Sequence, residues 1–317
     1  MSITINVTES GQGERLDNLV SKEAAITRSR VKTLIESGLV TLNNQSVKQG
    51  ARLHIGDTIE VFLPSSSDNI LIPEDINLDI SYQDNHLIVI NKPAGMVMYP
   101  APGNPSGTLL NAVAGRVKEL PDIGSPLRAG VVHRIDKDTS GLVVIALDNQ
   151  SYYGLVQQFK SRTIKRSYIA IVNGRIKGDQ GSISASIGRS QSNRKKMSTV
   201  SRHSRPAVTN WRVIERFNNA TMIEARLITG RTHQIRVHLS SIGHSLLGDV
   251  TYGNKTVIGL SNNNKFIVSR QMLHAKTLGF IHPVTSIPLE FTSHLPDDMV
   301  NLIGLFNGFK GRVSDPF

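Results

Sequence analysis

The chain has 317 residues, of which 39% are apolar, so its length predicts two domains and its composition supports a substantial core. Its 36 Lys and Arg residues outnumber its 25 Asp and Glu residues, and the resulting net charge of +11 favours a polyanionic partner. The lack of cysteine excludes disulfides, thiolate zinc sites and cysteine nucleophiles. The sequence shows no signal peptide and no apolar run near the roughly 20 residues of a membrane span, so we expect a cytoplasmic protein.

The first 64 residues predict a small basic domain of two helices and a hairpin. Apolar residues at one-face spacing predict a first helix over residues 15–25, and Thr27 is the expected N-cap of a second helix that ends at Gly38. Strands are expected over residues 39–42 and 58–63. A helix N-terminus flanked by arginines suits phosphate. We therefore expect RNA contacts from the outward-facing basic residues of this domain, Arg28, Arg30, Lys32 and Lys48.

Residues 14–64 resemble the S4 RNA-binding module, a small helix-helix-hairpin fold. The resemblance rests on T-R-S-R before an apolar helix, followed by G-x-V and G-D-x-I. It implies an S4-like α/β RNA-binding domain over residues 1–64, and the alternative is a basic mini-domain that packs on the rest of the chain. The polar stretch that follows lacks periodicity and predicts a linker over residues 65–74. A second, larger domain is expected over residues 75–317.

The larger domain shows the pattern of an α+β fold with mostly antiparallel strands. Apolar runs and alternating patterns predict strands over residues 80–82, 87–90, 142–146, 168–172, 211–217, 221–228, 270–275 and 280–283. Helical spacing predicts helices over residues 108–117 and 150–159, and a third helix that contains Ile235 and Leu239. Residues 99–105 carry three prolines and one glycine after Tyr99, so this run is expected to be a loop.

Residues 182–204 are poor in large apolar side chains and rich in Arg, Lys and Ser. A flexible loop, a solvated sheet edge and an arm that faces RNA all fit this composition. The density of positive charge favours the RNA-facing arm. Its expected RNA contacts are Arg194, Lys195 and Lys196.

A charged cluster lies between two apolar runs at residues 131–146, and it contains His133, Arg134, Asp136, Lys137 and Asp138. Burying such charges unpaired is costly, so a cleft wall is expected, although a solvated turn with cancelling charges also fits. Asp136 and Asp138 share a face of an extended segment, which leaves a divalent metal open, but Arg134 on that face works against it. His233 and His238 lack the spacing of helical zinc ligands, so we expect them to pack or to form hydrogen bonds.

Five stretches together resemble, in order, motifs of the RluA/RluD family of pseudouridine synthases. They are NKPAGMVMYPAPGNPSGTLLNA, HRIDKDTSGLVVIA, RSYIAIVNG, TGRTHQIRVHLSSIGHSLLGDVTYG and RQMLHAKTLGFIHPVTS. The likeness spans about residues 80–300, and the S4 module in front points to the branch that modifies large-subunit ribosomal RNA. The resemblance implies a twisted mixed, largely antiparallel sheet with flanking helices and an RNA cleft across it.

The resemblance also implies a reaction, the conversion of uridine to pseudouridine without a cofactor or a metal. The N-glycosidic bond breaks, the base turns, and C5 bonds to the sugar. The essential carboxylate corresponds to Asp136, which acts as a nucleophile at the sugar, as a nucleophile at the base, or as a base at the sugar. The cation near it corresponds to Arg236, and the tyrosine that stacks on the target base corresponds to Tyr168. Arg134 corresponds to the arginine that fills the gap left by the flipped base.

The sequence departs from the family pattern in two places. Met98 and Tyr99 stand where many relatives carry valine and histidine, and this pair lies at the start of the proline-rich loop. Arg166 stands two residues before Tyr168, where lysine is commoner, and it keeps the charge. The first departure touches no residue to which the resemblance gives a chemical role.

Two further function classes stay open beside the synthase. One is a non-catalytic RNA-binding factor of ribosome assembly, and the other is a metal-dependent phosphodiesterase built on Asp136 and Asp138. The presence of Asp136, Tyr168 and Arg236 favours the synthase, because a binding protein has no need of an aspartate facing RNA phosphates. Within the synthase class a tRNA target is the alternative to ribosomal RNA. We expect RNA as the partner, no membrane and a monomer.

Overall fold

A boundary between Ile70 and Leu71 divides the chain into two units in the computed structural model. The structure describes residues 2–24, 26–63, 70–121, 123, 125–193, 196–253, 257–259 and 265–308. Residues 65–69 of the predicted linker lie outside the described residues, and the predicted domain limits stay predictions. No helix in the described ranges combines the length and the apolar content that a membrane span requires.

The N-terminal unit buries one face of each of two helices against a four-stranded sheet. The helices are α1 (Leu16–Glu23) and α2 (Arg28–Glu36). The strands are β1 (Ser2–Asn6), β2 (Val40–Leu42), β3 (Gln45–Ser46) and β4 (Thr58–Phe62). The sheet runs in the order β1-β4-β2-β3 with antiparallel pairs throughout. Its core contains Leu16, Val20, Val31, Leu34, Ile59 and Val61.

Local signals explain where the elements of this unit begin and end. The Thr27 hydroxyl accepts a hydrogen bond from the Arg30 amide at 3.3 Å, which confirms the predicted N-cap. Gly38 follows α2 with φ of 71°, a conformation that ends a helix at little steric cost for glycine. The first helix is shorter than predicted because Arg15 is its N-cap and Glu23 its last residue.

The larger unit contains the remaining helices and strands. Its helices are α3 (Leu109–Ala114), α4 (Asn149–Ser161), α5 (Gln234–Ser241) and α6 (Asp297–Phe306). Its strands are β5 (Ile80–Gln83), β6 (Leu87–Lys92), β7 (Ser140–Ala146), β8 (Lys165–Asn173), β9 (Gln180–Ser184), β10 (Ile187–Arg189), β11 (Met197–Ser198), β12 (Ser204–Arg205), β13 (Val208–Arg216), β14 (Ala220–Leu227), β15 (Val257–Gly259), β16 (Lys265–Ile267), β17 (Leu273–Ile281) and β18 (Pro288–Thr292).

A nine-stranded sheet is the frame of this unit. Its order is β5-β6-β7-β17-β8-β14-β13-β9, and β18 pairs with β17. All its pairs are antiparallel except β17 with β7, which are parallel. Gly141 makes that pair possible, because a Cβ there would clash with the Ala275 carbonyl. The mixed, mainly antiparallel sheet with helices confirms the predicted α+β class.

Both faces of the central strands are buried, as the side-chain alternation of β8 shows. Tyr168, Ala170 and Val172 contribute to one apolar cluster, whereas Ile169 and Ile171 contribute to another. This pattern explains why the strand reads as a continuous apolar run rather than as alternating apolar and polar residues.

The structure differs from the predictions at three places. The strands expected over residues 270–275 and 280–283 are one strand, β17, because pairing with β7, β8 and β18 carries the backbone through Lys276, Thr277 and Gly279. The helix expected over residues 108–117 ends at Ala114. Residues 182–204 contain β10, β11 and the start of β12, which form a small antiparallel sheet, so this segment is not simply a loop.

Candidate active site

Asp136 lies in the loop before β7, which backbone hydrogen bonds hold in a turn. The Asp136 carbonyl accepts a hydrogen bond from the Thr139 amide at 3.1 Å, and the Lys137 carbonyl accepts one from the Gly95 amide at 3.0 Å. The second bond ties the loop to the segment after β6. The Asp136 side chain is 15% exposed, so the carboxylate can meet a ligand while its position stays constrained.

Arg236 on α5 holds the Asp136 carboxylate. Its Nη1 donates to Asp136 Oδ2 at 2.9 Å, across 100 residues of chain. Its Nε and Nη2 donate to the two carboxylate oxygens of Asp249 at 2.7 and 2.9 Å. The Arg236 Cζ also lies 5.1 Å from the ring centroid of Tyr252. The guanidinium therefore bridges the carboxylates of Asp136 and Asp249. Asp136 and Arg236, which the resemblance identifies as the essential carboxylate and the cation near it, are in contact.

Hydrogen bonds and neighbouring charges keep Arg236 and Asp249 ionised despite their burial. Burial opposes the charge on Arg236, but the hydrogen bonds and charges of Asp249 and Asp136 outweigh it and raise the pKa of Arg236. Burial likewise opposes ionisation of Asp249, but Arg236 and the backbone amides of Tyr252 and Thr251 hold the pKa of that carboxyl below its usual value. Two N–H groups of Arg236 bind Asp249, and one hydrogen bond from Arg236 orients Asp136.

His233 approaches Asp136 from the start of α5. It is the N-cap of that helix in a left-handed conformation, with φ of 57°. Its Nε2 lies 3.8 Å from Asp136 Oδ1, and its Nδ1 lies 2.8 Å from the Tyr252 hydroxyl. Burial lowers the pKa of His233 and outweighs the opposing effect of Asp136. A neutral imidazole here adds a hydrogen-bonding group to the site without adding a charge, in agreement with the expectation from sequence.

Lys92 holds the Asp136 loop through a hydrogen bond to a backbone carbonyl. The sequence analysis gave Lys92 no role. Its side chain is fully buried at the end of β6, and Nζ donates to the carbonyls of Pro93, Met96 and Lys137 at 2.7, 2.8 and 3.0 Å. Burial lowers the pKa of Lys92 to about 7, against the opposing charge of Asp138. The available signal was the N-K-P-A-G stretch, in which Asn91 and Lys92 follow the apolar run of residues 87–90.

Arg270 holds the other end of the same loop. Its Nη1 donates to the Asp138 carbonyl at 3.1 Å, and its Nε and Nη2 donate to the carboxylate of Asp298 on α6 at 2.6 and 2.8 Å. Buried cations thus bind successive carbonyls of the loop, at Lys137 and Asp138.

Within the described ranges, no three His, Asp or Glu side chains are grouped as a metal site would require.

A cavity of about 420 Å³ brings the predicted catalytic residues together, since Asp136, Tyr168 and Arg236 all line it. Tyr168 on β8 is 6% exposed, and burial raises the pKa of its phenol. The cavity therefore brings together an oriented carboxylate and an aromatic side chain.

His133 forms part of the cavity wall in its neutral form. Its ring stacks on Phe159, with 4.8 Å between the centroids. Its Nε2 accepts a hydrogen bond from the Val144 amide at 3.0 Å. Burial and the charge of Arg166 lower the pKa of His133 to about 3. His133 thus connects the Asp136 loop to β7 and carries no charge at neutral pH.

Comparisons with known proteins decide the family. The RNA pseudouridylate synthase model matches residues 86–241, and the S4 domain model matches residues 14–59. The chain is 41% identical over 302 residues to the "Uncharacterized RNA pseudouridine synthase YlyB" of Bacillus subtilis (strain 168), which covers 95% of this chain and 97% of that protein. The chain belongs to the RNA pseudouridylate synthase family.

Other members of the RNA pseudouridylate synthase family match along most of the chain. The "Ribosomal large subunit pseudouridine synthase D" of Zymomonas mobilis is 44% identical over 305 residues, covering 93% of this chain and 94% of that protein. Among solved structures, "Human RNA Pseudouridylate Synthase Domain Containing 1" is 26% identical with a TM-score of 0.55, and covers 71% of this chain and 85% of that chain. These matches confirm the resemblance and the fold that the motifs implied.

Arg134 is exposed and lines the cavity. The family resemblance implies that it fills the gap left by the flipped base. Its Nη1 donates to the Tyr99 hydroxyl at 2.8 Å. The Arg128 Cζ lies 4.6 Å from the centroid of the same ring. The family departure at Tyr99 therefore places an aromatic ring in contact with two arginines, one of which it hydrogen-bonds.

Arg28, a predicted RNA contact of the S4 domain, is already bound within its own unit. Its Nη2 donates to Asp17 Oδ2 at 2.7 Å, and Arg15 Nε donates to Asp17 Oδ1 at 2.9 Å. The Asp17 side chain is fully buried. The hydrogen bond from Arg15 is the largest influence that holds the pKa of Asp17 well below its usual value. Arg28 thus neutralises a buried carboxylate, and sequence reasoning did not detect this ion pair.

Three other cations predicted to contact RNA, namely Arg30, Lys32 and Lys48, are exposed. Lys32 Nζ lies 3.7 Å from a carboxylate oxygen of Glu36. Lys196 lies beside β11, and its amide donates to the Asn193 carbonyl. Two further predicted contacts, Arg194 and Lys195, lie outside the described residues. For all of these residues the RNA contact stays a prediction.

Proposed function

We propose that the chain isomerises specific uridines of large-subunit (23S) ribosomal RNA to pseudouridine, with Asp136 as the essential carboxylate. The observation that carries this proposal is the Asp136–Arg236–Asp249 bridge at a cavity that Tyr168 also lines. A carboxylate that an arginine orients is prepared to act as a nucleophile or as a base. The ribosomal target is supported by relatives named "Ribosomal large subunit pseudouridine synthase D" and by the S4 domain match.

The residues around the cavity support distinct roles in this reaction. Asp136 acts on the sugar or on the base, Arg236 holds it, and Tyr168 stacks on the target base. Arg134 at the cavity fills the gap that the flipped base leaves. The N1–C1′ bond of the uridine breaks and a C5–C1′ bond forms, while C5 loses a proton and N1 gains one. The reaction balances as an isomerisation and needs no cofactor.

Carbodiimide-probed primer extension across large-subunit rRNA and tRNA transcripts tests the proposal. We expect new stops on large-subunit rRNA after treatment with the wild-type protein and none after treatment with Asp136→Asn, at equal RNA affinity and unchanged fold. Asp138→Asn is the matched control, because it neutralises a carboxylate in the same loop. We expect it to retain activity.

Other outcomes of this experiment contradict defined parts of the proposal. Stops on tRNA alone would replace the ribosomal target. Stops with Asp136→Asn at the wild-type level would remove Asp136 from its role. Tight RNA binding with no stops, on naked RNA and on partly assembled large subunits alike, would favour the assembly factor. Loss of activity on addition of EDTA would favour a metal-dependent reaction.

A further inference from the structure

Arg166 on β8 is a half-buried cation that has no anionic partner among the described residues. It lies two residues before Tyr168, so both side chains leave the same face of the strand, and both line the cavity. Its guanidinium makes no hydrogen bond or ion pair with the described residues, and its buried Nε lacks a partner. Burial lowers the pKa of Arg166. Because no described carboxylate neutralises this charge, it is available to an anionic ligand that enters the cavity.

Packing holds the Arg166 guanidinium in this position. Its Cζ lies 5.2 Å from the ring centroid of Phe159, the residue on which His133 stacks. Gly230 lies against it, since a Cβ added to that glycine would be 2.7 Å from Nη1. The aromatic ring and the bare glycine backbone therefore preorganise the donors of Arg166, which lowers the entropic cost of binding an anion.

The cavity as a whole attracts anions. Asp136 is the only acidic side chain of its lining among the described residues. Six basic side chains line the same space, namely Arg134, Lys160, Arg162, Arg166, Arg231 and Arg236. Because Arg236 already binds two carboxylates and Arg231 Nε donates to the Pro206 carbonyl, Arg166 is the partly buried cation of this group that makes no hydrogen bond with the described residues.

We propose that Arg166 binds a backbone phosphate of the RNA, on the nucleotide whose base lies against Tyr168 or on its immediate neighbour. This proposal rests on the proposed function, because that function places the target base at Tyr168. Side chains at positions i and i+2 of a strand are about 7 Å apart, so one nucleotide segment can reach both. The planar fork of an arginine suits the oxygens of a phosphate.

RNA substrates with a single neutral methylphosphonate linkage near the target uridine test the contact. We expect one such linkage to raise the wild-type KM about tenfold, the scale of one hydrogen-bonded charged contact. The same linkage should have no further effect in Arg166→Gln, and the position of that linkage identifies the nucleotide. Arg166→Lys should recover part of the affinity, since it keeps the charge but loses the fork. Equal penalties in wild type and Arg166→Gln at every linkage would overturn the proposal.

Two further variants separate a local contact from a general loss of charge or of fold. Arg175→Gln removes the same charge from an exposed site outside the cavity, and we expect it to behave as wild type. Gly230→Ala keeps Arg166 but displaces its guanidinium. We expect Gly230→Ala to raise KM, and the double variant with Arg166→Gln to be no worse than Arg166→Gln alone. Independent, additive effects of the two substitutions would contradict the contact.

Binding of inorganic phosphate separates this proposal from the proposed function, because it requires no turnover. Phosphate at constant ionic strength should raise the melting temperature of the wild type and of Arg175→Gln, followed through the fluorescence of the sole tryptophan, Trp211. Arg166→Gln should require about tenfold more phosphate for the same shift. Equal protection of wild type and Arg166→Gln overturns the phosphate site whether or not pseudouridine is made. Protection that depends on Arg166, without pseudouridine on any RNA, supports the site and refutes the function.

Discussion

Replacing Asp249 with asparagine is expected to weaken the support of Arg236 while it preserves the shape of the site. The Asp249 side chain is fully buried, and its two oxygens accept Nε and Nη2 of Arg236. An asparagine of the same size keeps one acceptor and places an amide donor opposite one arginine N–H. Arg236 then retains Asp136 as its only anionic partner in the bridge, so both its charge and its orientation are less well supported.

The magnitude follows from the burial of the pair. The Arg236 side chain is only 6% exposed. Removing one partner of such a pair costs about 3–5 kcal/mol, and a lost hydrogen bond to a charged group accounts for about 1.5–3 kcal/mol. Because Asp136 still binds Arg236, we expect the lower end, a loss of about 3 kcal/mol in the free energy of unfolding of the larger unit. Turnover should fall at least about tenfold, since the hydrogen bond that aims Asp136 loses its geometry.

Asp298→Asn is the matched control for this prediction. Asp298 also accepts two donors of an arginine, Arg270, at 2.6 and 2.8 Å, but its carboxylate is 41% exposed. Solvent screens that pair, so its loss should cost about 1 kcal/mol or less. Urea unfolding followed through Trp211 on β13 measures both variants in the larger unit alone. Equal losses for the two variants, or unchanged turnover in Asp249→Asn, would refute the reasoning.

Three further predictions concern a buried lysine, a helix cap and the N-terminal unit. The folded-state pKa of Lys92, about 7, lies below the unfolded value, so folding releases a proton above about pH 7. The free energy of unfolding of the wild type, relative to that of Lys92→Met, should therefore rise by up to about 1.4 kcal/mol per pH unit between about pH 7 and 9. Urea titrations measure this difference, and a difference that stays constant with pH would contradict the prediction. Thr27→Ala should cost α2 about 1 kcal/mol, measured by amide hydrogen exchange, and unchanged exchange would count against the cap. Deleting residues 1–64 should weaken RNA binding and reduce its salt dependence while Trp211 emission and melting stay unchanged; a truncated protein that precipitates would disprove the domain limit.

Sequence reasoning located the reacting centre because its signals are local. Asp136 and Arg134 stand in a short charged run between apolar segments, and Arg236 stands in a second distinctive motif. The contact between Asp136 and Arg236 could be expected only from the family resemblance, since 100 residues separate them. Asp249 lies in the same motif as Arg236, but nothing in its neighbourhood along the chain indicates that the two side chains face each other.

The amino-acid sequence was sufficient to predict the elements whose causes lie within one turn or one strand. Thr27 caps α2 through an amide three residues away, and the apolar run of β7 marks a strand buried on both faces. It also determined the excess of positive charge, which depends on composition alone.

The partners of the charged side chains depend on the tertiary structure. Lys92 binds the Lys137 carbonyl, Arg28 binds the buried Asp17, and Arg166 at the cavity wall has no anionic partner among the described residues. The tertiary structure also decided that β17 continues through Lys276 and Thr277 as one strand. A buried charge or an interior strand is stabilised by groups that the fold brings from distant parts of the chain, and no pattern of neighbouring residues encodes which groups those are.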